Sequence, residues 1–150
     1  MVSYLFEKIP GVELSDRNLL DAPRAHELDL AFWNDQRSSD LHFLDAVLIV
    51  ECKANDTPVG SAAVGWFVRK LQDHGAHHAV LVALNGVTGD GDTSAHSEIL
   101  TALMRDKIKI LLLTRTEILE LSATDDLAQV LKRKLLRLTL KRAVHMDNIE

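Results

Sequence analysis

Asp29, Glu51 and Lys53 are the side chains whose types and spacing suit chemistry on a phosphate ester. Glu51-Cys52-Lys53 closes the apolar run Ala46-Val47-Leu48-Ile49-Val50. Such a run, bounded by polar segments, reads as a buried strand. Side chains alternate faces along a strand, so Glu51 and Lys53 point one way and Cys52 the other. An acid and a lysine are expensive to place at the end of a buried strand, and that cost marks a candidate site. Upstream, His26 to Trp33 also alternates, with Glu27 and Asp29 on one face and His26, Leu28 and Leu30 on the other. Two carboxylates on adjacent strands, with an ammonium beside them, can hold a hard divalent cation next to a phosphodiester. The plain alternative is a structural ion pair at a strand end, with Asp29 elsewhere.

The elements that would position these groups follow from pattern. Ser3 to Ile9 reads as a short helix ended by Pro10-Gly11. Glu27 to Trp33 is a strand, Asn34 to Asp40 a polar turn, and a second strand returns from about Phe43 to Lys53, forming an antiparallel hairpin. Thr57-Pro58 opens a helix running to about His74, with Val64, Phe67, Val68 and Leu71 on one face and Gly75 at its end. Ala79 to Leu84 is a buried strand, Asn85 to Asp92 a loop, Ser94 to Arg105 a helix and Ile108 to Leu113 a strand. Thr114-Arg115-Thr116-Glu117 has capping-box spacing and opens another helix. A hairpin followed by alternating strands and helices predicts an α/β fold, a mixed sheet flanked by helices.

Asp29, a hairpin, Glu51-Cys52-Lys53, then a helix and a strand: this order resembles the PD-(D/E)XK nuclease superfamily. Within it the chain looks most like the small Mrr-like, restriction-endonuclease-like proteins. The resemblance spans roughly Leu5 to Leu121 and includes Glu27-Leu28-Asp29-Leu30, Val50-Glu51-Cys52-Lys53 and the segment from Pro58 through Gly89. Leu28, not proline, precedes Asp29, and the first helix offers only Glu7 as an accessory acid. The resemblance implies a restriction-endonuclease-like fold and metal-dependent endonuclease activity on DNA, in restriction or repair. It makes Asp29, Glu51 and the Cys52 main-chain carbonyl ligands for Mg²⁺ or Mn²⁺. Lys53 would then orient the attacking water and offset charge at phosphorus. Cutting both strands needs two sites, so a homodimer is expected.

The whole chain sets bounds. Its 150 residues suit one domain, and 47% hydrophobic residues can bury a core. A net charge of -5 is unusual for a protein that wraps DNA by charge alone. No apolar run is long enough to cross a bilayer, and Met1 to Glu7 does not read as a signal peptide. A single cysteine rules out an internal disulfide framework and fits a reducing cytoplasm. Cys52 is expected to pack as a small apolar group opposite the site.

Composition changes near the end, so residues 1–123 read as the nuclease domain and 124–150 as a basic helical extension packed on it. Between Leu127 and Val144 lie Lys132, Arg133, Lys134, Arg137, Lys141 and Arg142, with no acid. Two readings stand: a helix that follows a phosphate backbone or a partner subunit, or an amphipathic helix closing the core with a solvated basic face. Lys70 and Asn85 join Lys132 and Arg133 as candidate nucleic-acid contacts. Lys70, one turn beyond Trp66, could reach toward the site or a phosphate; a solvated helix face is its plainer role, and core packing that of Trp66 and Phe67. Glu7 and Glu27 are accessory acids or solvated surface. His74, His77 and His78 lack a clear fourth zinc ligand and read as a polar connection. The rival function is a nuclease-fold module, weak or inactive in catalysis, that binds nucleic acid or a protein partner.

Overall fold

In the computed structural model the elements run α1 (Val2–Glu7), β1 (Val12–Leu20), β2 (Glu27–Asn34), β3 (Val47–Lys53), α2 (Ser61–Asp73), β4 (His78–Ala83), α3 (Ala95–Thr101), β5 (Lys109–Leu113), α4 (Arg115–Leu119) and α5 (Thr124–Lys141). It describes residues 2–20, 27–89, 94–121 and 124–144, with backbone alone at Glu27, Thr124 and Asp125. His26, residues 90–92 of the Asn85 to Asp92 loop, and residues 145–150 of the C-terminal extension lie outside the described residues.

The strands form one sheet in the order β1-β2-β3-β4-β5. β1, β2 and β3 pair antiparallel, whereas β3–β4 and β4–β5 are parallel. This is the mixed sheet, flanked by helices, that the sequence predicts. The two parallel strands β4 and β5 are nearly continuous apolar runs, as strands covered on both faces must be. On one face Phe6 of α1 stacks against Phe32 of β2 at 5.2 Å between ring centroids. α5 packs beside α1 and against β5 on that face, burying Leu127, Leu131 and Leu138. Helices α2 and α3 pack together on the other face. No helix among the described residues is long and apolar enough to cross a membrane.

Four elements differ from expectation. β1 was not foreseen: its apolar residues break alternation at a bulge between Leu14 and Asp16, and most of its side chains are exposed. β3 begins at Val47, not near Phe43. Buried Asn34 donates through Nδ2 to the carbonyls of Leu41 (2.8 Å) and Asp45 (3.0 Å), holding that segment in turns. α2 begins at Ser61, not Pro58, because Val59 is drawn into a parallel bridge with Val87. Val59 donates to the Gly86 carbonyl at 2.9 Å and accepts from the Thr88 N–H at 2.9 Å. The helix does end where expected, with Gly75 in the left-handed region at φ 67. The following helix, expected to reach Arg105, gives way to a π-helical turn over Ala102–Asp106, ended by Lys107 at φ 57.

Candidate active site

β3 is antiparallel to one neighbour and parallel to the other, and its carboxyl end carries Glu51 and Lys53. The β2–β3 register pairs Leu30 with Val50, so the next residues along, Asp29 and Glu51, lie beside one another. Period-2 alternation puts Asp29, Glu51 and Lys53 on the α2 side of the sheet, away from Phe32, Leu48 and Val50. The Asp29 carboxylate accepts the Cys52 N–H at 2.9 Å, which ties it to the β3 backbone where the site lies. Lys53 Nζ is 3.4 Å from Glu51 Oε1. The structure therefore brings together the three residues singled out from sequence.

It adds a fourth. Lys70 of α2 donates to both Glu51 oxygens, at 3.1 and 2.9 Å. Glu51 is 2% exposed and Lys70 5%, so the pair is almost wholly withdrawn from water. The expected solvated helix face for Lys70 is thus corrected. Its neighbours Phe67, Val68 and Leu71 bury the helix on the sheet, and Lys70 goes down with them because Glu51 waits there as counter-charge. The available signal was its spacing, three residues after Phe67 on the flank of the buried stripe. Trp66 is also corrected, from core to surface, at 53% exposure. Lys53 is more open, with its side chain 34% exposed.

Asp29 and Glu51 supply hard oxygen donors, and the Cys52 N–H holds the Asp29 carboxylate in place. The Cys52 side chain packs against the core on the opposite face. Burial, then the nearby Asp29 and Glu51 carboxylates, push the thiol up to about 11. It stays protonated near neutrality and is no thiolate ligand. This donor set fits a hard cation such as Mg²⁺ or Mn²⁺ and does not suit zinc. No third acid, histidine or cysteine joins the two carboxylates among the described residues. Glu7 instead faces Arg17 at 3.9 Å. Glu27 has no described side chain.

Asn85 lies at the same edge of the sheet as Lys53. The Leu84 N–H donates to the Lys53 carbonyl at 3.1 Å, and Asn85 Nδ2 donates to the Asn55 carbonyl. Lys132 and Arg133 are exposed on α5, on the sheet face opposite the carboxylates. The histidines are occupied otherwise. His78 Nδ1 lies 2.8 Å from Asp45 Oδ1, and the His74 ring bonds the Lys70 carbonyl at 2.7 Å.

The model of a protein family described as restriction endonuclease, the Mrr catalytic domain, matches residues 4–122. No curated protein matches the chain.

Proposed function

The chain belongs to this restriction endonuclease family, and from that premise we propose that it is a divalent-metal-dependent endonuclease that hydrolyses phosphodiester bonds in DNA. The observation that carries the reading is the meeting of Asp29, Glu51 and Lys53 at the carboxyl end of β3, inside the matched segment. Asp29 and Glu51 would hold Mg²⁺ or Mn²⁺ together with the Cys52 carbonyl. When bound, the cation supplies positive charge against the phosphate and eases ionisation of a water.

The chain's own groups do the rest. The Cys52 N–H fixes the direction of the Asp29 carboxylate. Lys53, the more open of the two lysines, offers its ammonium to the oxygens on which charge gathers as phosphorus becomes five-coordinate. A point charge serves there, since no planar two-pronged match is required. The backbone around Asn85 lines the same edge and is a surface for the nucleic-acid strand. A homodimer would supply the second site needed to cut both strands, in restriction or repair within the cytoplasm.

The test is cleavage of supercoiled plasmid with Mg²⁺ or Mn²⁺, wild type beside Lys53→Ala. Nicked or linear product from the wild type alone supports the assignment. No cleavage, or equal cleavage by both proteins, sinks it for that substrate. A second reading, a nuclease-fold module of low turnover that binds nucleic acid or a partner, is favoured by the engagement of both Glu51 oxygens by Lys70. DNA retention by the wild type without product would select it.

A further inference from the structure

Lys70 and Glu51 form a nearly dry ion pair inside the candidate site. A carboxylate has about four lone-pair directions. Lys70 draws on both oxygens, and Lys53 stands 3.4 Å from Oε1. Among Asp29, Glu51, Lys53 and Lys70 the formal charges cancel. A site built for a divalent cation from two carboxylates is therefore already neutral, and Glu51 already has a cation. An ammonium at 2.9 Å from a carboxylate oxygen repels any second cation brought to that oxygen, and shielding by water is slight at this depth.

We propose that Lys70 is a positioning residue that acts as an internal counter-cation for Glu51, holding the carboxylate in place and competing with the divalent metal. The free protein then loads metal weakly, and a phosphate arriving with its own negative charge tips the balance toward loading. Lys53 cannot fill this role alone, because it is partly in water and touches one oxygen at longer range. The inference rests on the reading of Asp29 and Glu51 as metal ligands.

The experiment measures Mn²⁺ binding to full-length protein without DNA, from the electron paramagnetic resonance signal of free Mn²⁺, in wild type, Lys70→Gln, Lys70→Arg and Glu51→Gln. Thermal melts with and without Mn²⁺ accompany it. The expected result is about tenfold tighter binding by Lys70→Gln, from removal of a like charge at close range. Lys70→Arg, which keeps the charge, should stay near wild type, and Glu51→Gln should lose binding. If Lys70→Gln fails to fold alone, Mn²⁺ should restore its melt by standing in for the ammonium; no restoration overturns the proposal. Equal or weaker binding by Lys70→Gln, with binding still lost in Glu51→Gln, overturns the proposal and leaves the ligand reading intact. Binding that is absent throughout, or untouched in Glu51→Gln, overturns both.

Discussion

Lys53 and Cys52 are chain neighbours with opposite fates, and each makes a prediction. Lys53→Ala should lower plasmid cleavage by about 10²–10³-fold, the scale of losing one preorganised charge at a developing anion. Its melting temperature should stay close to wild type, because the lysine is partly in water and Lys70 still pairs Glu51. Cys52 faces the core with its thiol raised to about 11. Alkylation by iodoacetamide near neutral pH should be slow in the folded protein and become fast in denaturant, as followed by mass spectrometry. Much of this site was legible in sequence, since Asp29, Glu51 and Lys53 lie on strands where period-2 alternation fixes the facing side. The reach of Lys70 toward the site was one of two open readings and the less favoured, because a lysine on the flank of an apolar helical stripe looks the same whether it reaches for water or for a buried carboxylate. Only the packing of α2 on β3 distinguishes the two.

At the level of elements, the fold leans on a few polar fastenings. Asp45 accepts the N–H groups of His77 (2.7 Å) and His78 (3.1 Å), pinning the turn before β3 to the start of β4. Burial alone would push its carboxyl up, but these donors, with the His78 ring, outweigh burial and hold it below 3.8. A carboxyl lowered by folding adds stability that is full above the unfolded value and lost as pH falls through the folded one. The stability gap between wild type and Asp45→Asn should therefore be widest near neutral pH and shrink as the solution is acidified past the ordinary carboxylate range, measured by urea unfolding. Gly11 joins α1 to β1 at φ 82, and a Cβ there would fall 2.6 Å from the Ser39 Cα. Gly11→Ala combines that clash with backbone strain and should destabilise by about 1–3 kcal/mol in the same assay. Sequence reading found β2, β4, β5 and the Thr114 capping box because their signals are local. It missed β1, which is held by pairing to β2 and not by burial of its own side chains.

Across the whole molecule, charge and core divide between the two faces of the sheet. The site and α2 occupy one face, and α5 with its exposed basic residues the other. We expect Lys132→Ala/Arg133→Ala to leave the cleavage rate on bound DNA within about twofold of wild type, since surface charges act over roughly a Debye length. Any loss should show in DNA retention at low salt. Removing α5 whole is a different perturbation. It would uncover the surfaces covered by Leu127, Leu131 and Leu138 and leave Glu117 without Lys134, now 2.6 Å away. A chain truncated before Thr124 should lose its cooperative thermal transition, so point variants are the informative probes of this helix. β1 stands at the outer border of the sheet, where a bare strand invites another chain to add itself. The bulge after Leu14, the left-handed Asn18 at φ 48, and the exposed Asp16 and Arg17 make that border crooked and charged. The irregularity that hid this strand from the eye also makes it a poor template for fibrous self-assembly.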